Sequence, residues 1–166
     1  MTRADVHGTR VDAATVADNK ATQRRYVEQV QNGGDVAALD EFLASDAVNH
    51  TPPPGMPGTR DGAKRIVGMM RAAFPDHDAV VEHMIAEGDL VATYKMLTGT
   101  HRGDFMGIAP THRRVSIRIM DFVRYRDGKV AEHWNIVDVM GLLRQLGVAP
   151  GPTRPSESDA ARGGED

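Results

Sequence analysis

The chain of 166 residues contains no cysteine. This absence excludes disulfides, thiolate nucleophiles and thiolate metal sites together. The sequence also lacks an apolar run near the roughly 18 residues that cross a bilayer, and its N-terminus has no apolar core of the kind found in signal peptides. We therefore expect a cytoplasmic protein with no membrane partner.

Positive charge is not in excess. Lysine and arginine number 20 against 23 aspartates and glutamates, which gives a formal net charge of -3, and no basic run stands out. Proteins that bind nucleic acid neutralise phosphates with clustered basic side chains. We therefore expect no nucleic-acid partner.

Several ligand and nucleophile motifs are missing as well. Gly55-Met56-Pro57-Gly58 has the wrong spacing for a phosphate loop, and no Gly-x-Ser-x-Gly sequence occurs. The seven histidines form no His-x-His pair and no His-Glu-x-x-His sequence. Without thiols to add to them, they do not indicate a metal site. We expect neither a metal nor a cofactor.

The two ends of the chain differ from its middle. Residues 1–17 are short of large apolar side chains, and residues 150–166 are rich in proline, glycine and serine. Such segments have little to bury. We predict a flexible N-terminal arm over 1–17, one domain over 18–149, and a disordered tail over 150–166.

Apolar periodicity divides that domain into helices followed by strands. The predicted helices are 21–31, 35–43 and 61–74, with a short strand at 47–50, a proline-rich rim loop at 51–58 and a short closing helix after Asp138. The predicted long strands are 79–87, 90–101, 114–125 and 130–139. Turn signals at Gly88 and Asp127-Gly128 join them as hairpins. This order predicts an α+β fold in which a cone-shaped, curved antiparallel sheet wraps against about three N-terminal helices and encloses a pocket.

Asp121 is the least expected residue in the third long strand. Alternation places it on one face with Ile117, Ile119 and Val123. Desolvation in an apolar pocket would raise its pKa toward the range of a general acid or base. The competing interpretation is an edge charge or an ion pair with an arginine such as Arg118 or Arg124.

The last strand carries two more polar side chains on a single face, His133 and Asn135. Hairpin neighbours share a face, so both could project with Asp121 into one cavity. Histidine can transfer a proton near neutral pH, whereas asparagine can only form hydrogen bonds. A satisfied interior histidine is the alternative for His133. Asp138 is expected to cap the following helix.

Further residues are candidates for substrate contact. His50 ends a strand beside the rim loop, where it could hang over the pocket or serve no chemistry, and His101 could stand at the other end of the cone. Methionines in apolar rows suit a bulky hydrophobic ligand. The predicted substrate-binding residues are His50, Tyr94, His101, Met70 and Ile119.

Five segments together carry a family signature: Asn49-His50-Thr51-Pro52-Pro53, Arg71-Ala72-Ala73-Phe74-Pro75-Asp76, Gly107-Ile108-Ala109-Pro110-Thr111-His112-Arg113-Arg114, Asp127-Gly128-Lys129-Val130-Ala131-Glu132-His133-Trp134 and Gly141-Leu142-Leu143-Arg144-Gln145-Leu146-Gly147. From about Asn19 to Gly147 the chain resembles the SnoaL-like polyketide cyclases, or ester cyclases, of the nuclear transport factor 2-like superfamily. The resemblance implies a cone-shaped α+β barrel, often a homodimer through its sheet, with a hydrophobic cavity and no cofactor.

The best-known members of that family close the last ring of an aromatic polyketide ester by intramolecular aldol condensation. The resemblance implies an acid/base aspartate on the final strand and an assisting histidine on the preceding one. Aligned without gaps through Asp127-Gly128-Lys129, these positions are Asn135 and Asp121. Either Asp121 has taken the base role across the same cavity, or the aldol closure has been lost. Ile119 stands where an epoxide-hydrolase-like member would carry arginine, which disfavours that chemistry.

Three hypotheses follow. The first is a cofactor-independent cyclase or isomerase that abstracts a proton beside a carbonyl of a bulky apolar polyketide, with Asp121 as base and His133 and Asn135 orienting the carbonyl. The second is a protein that binds an apolar small molecule without turnover. The third is a hydrolase that activates water in the same pocket.

Overall fold

The computed structural model describes residues 13–149. It has the predicted α+β architecture, with helices packed on one face of a curved five-stranded sheet. The helices are α1 (Ala13–Tyr26), a π-helical continuation (Val27–Asn32), α2 (Leu39–Phe42), α3 (Arg60–Ala73) and α4 (Val139–Leu146). The strands are β1 (Leu43–Asn49), β2 (Asp78–Glu87), β3 (Leu90–Thr100), β4 (Arg114–Arg126) and β5 (Lys129–Val137).

The sheet has the order β1-β5-β4-β3-β2. The pairs β2–β3, β3–β4 and β4–β5 are antiparallel, as the hairpin turns predict. The expectation of a wholly antiparallel sheet is wrong at one edge, because β1 runs parallel to β5. Turn residues report only on neighbours along the chain, and β1 reaches β5 from far away in sequence.

Helix α1 begins at Ala13, so residues 13–17 of the predicted arm are helical and the first helix starts well before residue 21. The inward side of α1 includes the buried polar residues Asn19 and Gln23. Gln23 Oε1 accepts a 2.8 Å hydrogen bond from the hydroxyl of buried Tyr125. Polar residues on the inward face interrupt the apolar stripe on which sequence-based helix prediction depends. Residues 1–12 of the predicted arm and the predicted tail lie outside the described residues.

Two further boundaries differ from prediction. The second helix is confined to Leu39–Phe42, because Leu43 already belongs to β1 and pairs with Val130. The short strand predicted at 47–50 is therefore the end of a longer one. Helix α4 begins as predicted, with the Asp138 carboxylate accepting a hydrogen bond from the Gly141 N–H. It ends at Gly147, whose φ of 82° is the left-handed conformation that glycine adopts without strain.

The core lies between the inner face of the sheet and the helices, in two apolar clusters. One surrounds Phe74 and Ile117 and includes Leu142 of α4. The other surrounds Phe42 and Val123. Tyr26 packs against both clusters, and the space left between helices and sheet forms a cavity.

Candidate active site

The cavity has a volume of about 570 Å³ and opens between the sheet, α3 and the rim loop. This volume lies in the usual range for small-molecule sites. Its walls are mainly aliphatic, with Ile66 and Met70 from α3 facing Ile117 and Ile119 from β4. A few polar side chains break this surface on β3, β4 and β5.

Asp121 lies in the inner row of β4, as alternation predicts. Its relative exposure is 4%, while its neighbours in the row, Ile117 and Val123, are 2% and 3% exposed. The carboxylate meets three side chains from neighbouring strands. One of these, Thr93, is the direct cross-strand partner of Asp121 and contributes a hydroxyl 3.3 Å from Oδ2.

Lys95 of β3 is the strongest of these partners, and sequence analysis missed it. Its Nζ lies 2.6 Å from Asp121 Oδ2, and the two side chains are only 2% and 5% exposed. Nζ also donates a 3.0 Å hydrogen bond to Gln31 Oε1. The signal was present in the sequence, since alternation places Lys95 in the same row as Val91 and Leu97.

The π-helical segment presents Gln31 to Lys95. Such segments are rare and often occur at functional sites. The backbone carbonyl of Gln31 is itself fixed, because it accepts hydrogen bonds from Arg71 Nη2 at 2.9 Å and from His77 Nε2 at 2.7 Å. The Lys95 ammonium therefore lies between the Asp121 carboxylate and the side-chain amide oxygen of a residue whose backbone is fixed.

Burial raises the pKa of the Asp121 carboxyl, but the Lys95 ammonium and the hydrogen bond from His133 outweigh this effect and hold the pKa well below its usual range. The prediction of a raised pKa was wrong because it considered burial without Lys95. The suggested arginine partners are also incorrect, since Arg124 pairs with Asp89 and Glu132 and Arg118 lies in the exposed outer row of β4. Asp121 is thus an ionised carboxylate at neutral pH and a weak base.

His133 of β5 reaches the other oxygen of this carboxylate. Its Nε2 lies 3.1 Å from Asp121 Oδ1, and its side chain is 29% exposed where it lines the cavity. An ionised carboxylate can only accept hydrogen bonds, so Nε2 carries the proton of this contact. In the neutral ring, Nδ1 then holds a lone pair, and within residues 13–149 it has no hydrogen-bond partner.

Asn135 also lines the cavity, and Thr51 of the rim loop fixes it. The Thr51 hydroxyl donates to Asn135 Oδ1 at 2.7 Å and accepts from the Asn135 backbone N–H at 2.8 Å. This arrangement orients the side-chain amide. Its Nδ2 has no partner among the described residues, so it can donate to a ligand.

Tyr26 closes the cavity on the helical side. Burial raises the pKa of its phenol, and the negative charge of Asp121 adds to this shift, against a smaller lowering by a hydrogen bond with Gln31. Tyr26 therefore keeps its proton near neutral pH and serves as a neutral polar group in the wall.

The structure brings together Asp121, His133 and Asn135, and it places Met70 and Ile119 in the cavity wall as predicted. It corrects the placement of the remaining three candidates. His50 lies outside the cavity wall. Its ring stacks on Trp134 at 4.6 Å and its Nε2 lies 2.8 Å from Glu132 Oε2.

Tyr94 and His101 are the other two corrections. Tyr94 follows Thr93 and precedes Lys95, so alternation turns it to the outer face of the sheet, where it stacks on His83 at 6.0 Å. His101 is fully buried beside Phe74, outside the cavity wall. Its Nδ1 accepts a hydrogen bond from the backbone of Thr111.

Metal sites and membrane-spanning helices are both absent from residues 13–149. No group of three or more histidine, aspartate or glutamate side chains there is placed to hold a metal ion. No helix in that range is both long and apolar enough to span a membrane.

Comparison with known proteins gives consistent matches. The sequence model of the SnoaL-like polyketide cyclase family matches residues 20–146. Nogalonic acid methyl ester cyclase of Streptomyces nogalater is 36% identical over 120 residues, covering 70% of this chain and 88% of the cyclase. Aklanonic acid methyl ester cyclase DauD of Streptomyces sp. (strain C5) is 34% identical over 135 residues, covering 78% of this chain and 81% of DauD.

Solved structures show the same likeness. The crystal structure of IdmH, a candidate polyketide cyclase of Streptomyces antibioticus, superposes with a TM-score of 0.69 at 39% identity. The match covers 78% of this chain and 99% of IdmH. The chain is thus similar to ester cyclases over nearly all of the described residues.

Proposed function

Because the chain belongs to the SnoaL-like polyketide cyclase family, we propose that it abstracts a proton beside a carbonyl of a polyketide ester and closes a ring by an intramolecular aldol reaction, without a cofactor. The relatives named as nogalonic and aklanonic acid methyl ester cyclases support an aromatic polyketide methyl ester as the substrate. The aliphatic cavity of about 570 Å³ suits such a bulky, planar molecule.

One observation carries the proposal: His133 lines the apolar cavity with its Nε2 held 3.1 Å from an ionised, buried Asp121. A carboxylate that orients a histidine fixes its tautomer and stabilises the imidazolium that forms when the ring accepts a proton. We therefore assign the base to His133 and make Asp121 a positioning residue. This replaces the sequence-based hypothesis that Asp121 itself is the base.

The reaction balances with these groups alone. His133 Nδ1 takes a proton from the carbon beside the ester or ketone carbonyl, and the C–H electron pair becomes an enolate. The enolate carbon attacks a second carbonyl of the same molecule, forming a C–C bond and an alkoxide. The alkoxide recovers the proton from His133, so the product is an isomer of the substrate. The free Nδ2 of Asn135 is placed to donate to one of the carbonyl oxygens.

The test is mass spectrometry of nogalonic and aklanonic acid methyl esters incubated with the wild-type protein and with His133→Gln. A new product of unchanged mass that disappears in the variant supports the proposal. A product with the mass of one added water would favour a hydrolase. Retention of the ester without any product would favour a protein that binds without turnover, and either result would contradict ring closure.

We further propose that the protein is a cytoplasmic homodimer that joins through the outer face of the sheet. Large apolar side chains are exposed there on neighbouring strands, including Phe122 at 47%, Ile136 at 75% and Ile85 at 72%. Exposed apolar patches of this kind mark interaction sites, and a self-complementary patch suits a twofold dimer.

A further inference from the structure

Lys95 is a buried cation that the proposed mechanism does not yet use. An ammonium group has three N–H donors. Two of them are taken, one by Asp121 Oδ2 at 2.6 Å and one by Gln31 Oε1 at 3.0 Å. No third partner is found among residues 13–149, and Lys95 forms part of the cavity wall.

We infer that Lys95 is the oxyanion-binding residue of this site: its third N–H binds the enolate oxygen, or any planar aryl or enol oxyanion that enters the cavity. This inference rests on the proposed function for the identity of the substrate but not for the binding of the anion. A preorganised donor in a water-poor cavity stabilises developing negative charge strongly, because it need not reorient during the reaction.

The position of Lys95 supports this role. Lys95 and His133 contact opposite oxygens of the same carboxylate. A substrate carbonyl whose oxygen accepts a hydrogen bond from Lys95 can therefore place the adjacent carbon, which carries the proton to be removed, next to His133. The cation and the base are thereby held in one arrangement by the ionised Asp121.

Charge balance is compatible with this role. The mechanism starts from the neutral form of His133, in which the charges of Asp121 and Lys95 cancel. After transfer, His133 is positive, so the three side chains together carry one positive charge opposite the single negative charge of the enolate. The apolar cavity therefore never holds an uncompensated charge, which would be costly in such surroundings.

Removal of Lys95 alone would leave Asp121 unpaired in the core and could prevent folding. The test therefore uses the neutral pair Lys95→Met with Asp121→Asn, in which the net charge of the pair is unchanged. Thr93→Val, which removes only the hydroxyl 3.3 Å from Asp121 Oδ2 and retains the Lys95–Asp121 pair, is the matched control.

The probe is 2-hydroxyanthraquinone, a planar aromatic phenol whose visible spectrum separates phenol from phenolate. We expect wild-type protein and Thr93→Val to shift the bound probe toward phenolate by about tenfold or more relative to the double variant, the effect of one charged hydrogen bond. Equal phenolate fractions in wild-type protein and double variant would overturn the inference. Failure of wild-type protein to bind the probe at a pH where the phenolate dominates would overturn it too.

A second measurement separates this inference from the proposed reaction. Aklanonic acid methyl ester is incubated with wild-type protein in D₂O, and deuterium uptake beside the carbonyl is followed. Phenolate binding without deuterium uptake would leave the Lys95 site standing and contradict the proposed proton abstraction. Deuterium uptake with no Lys95-dependent phenolate shift would support the proposed proton abstraction and contradict the Lys95 site.

Discussion

Asp121 and His133 meet diagonally across the β4–β5 pair. In the strand register Asp121 stands opposite Asn135, and His133 stands opposite Val123, yet His133 Nε2 reaches Asp121 Oδ1 at 3.1 Å. Diagonal neighbours on one sheet face lie within reach of long or aromatic side chains. His133, rather than the directly opposite Asn135, therefore binds the Asp121 carboxylate, and this relationship underlies the predictions below.

His133→Gln should lower kcat for ring closure by roughly 10²- to 10⁴-fold, the usual contribution of a general base. Substrate binding should change little, because glutamine keeps a polar group in the cavity wall. Steady-state kinetics on the methyl esters measures both effects. The matched control is His83→Gln, the same substitution on the outer face, where His83 stacks on Tyr94. Equal losses in the two variants would refute the role of His133.

Asn135→Asp should place a carboxylate base at residue 135. This is the position at which the resemblance to the polyketide cyclases implies an acid/base aspartate. Thr51 can still donate to a carboxylate oxygen at this position, since it already donates to Asn135 Oδ1. We expect Asn135→Asp to recover about tenfold or more of the activity lost in His133→Gln. The comparison is between the double variant and His133→Gln alone. If the double variant is no faster, residue 135 does not reach the reacting carbon.

Lys95→Met should destabilise the fold by about 3 kcal/mol, because it leaves a buried carboxylate without its cation. Adding Asp121→Asn should recover most of this loss, since no buried charge then remains unpaired. Urea unfolding of wild-type protein, both single variants and the double variant gives the coupling free energy. Additive losses would show that the two buried side chains are not coupled.

Acid should weaken the stabilisation that Asp121 provides. The folded-state pKa of this carboxyl is depressed, so its contribution is present above the unfolded pKa of about 3.9 and is lost as pH falls through the lower folded pKa. Wild-type protein should therefore exceed Asp121→Asn in stability at about pH 5 and above, and the difference should shrink below about pH 4. Urea unfolding across this range measures the difference. A difference that grows in acid would contradict the ion pair.

Phe122→Glu should convert the proposed dimer into a monomer, because it places a charge in the exposed apolar outer face of the sheet. Light scattering after size-exclusion chromatography gives the mass. Glu28→Lys, also exposed but on the helical layer away from the outer face of the sheet, is the control and should leave the mass unchanged. A monomeric wild-type protein would exclude this dimer outright.

The sequence predicted the elements that depend on local order. The hairpin strands followed from their turns and alternation, so the inner row of Ile117, Ile119 and Asp121 was correctly placed on one face. The N-cap at Asp138 was predicted because capping involves residues only three apart. The start of α1 was missed because its inward side is polar at Asn19 and Gln23.

The sequence alone therefore determined the α+β order, the faces of the long strands and the three polar residues at the cavity. Only the tertiary structure decided what those residues can do. Lys95 and Gln31 reach Asp121 from other elements, and a pKa depends on charges close in space rather than in sequence. The family resemblance indicated the positions of Asp121 and Asn135. The ion pair with Lys95, which only the tertiary structure shows, makes Asp121 a weak base and is the reason we propose His133 as the base.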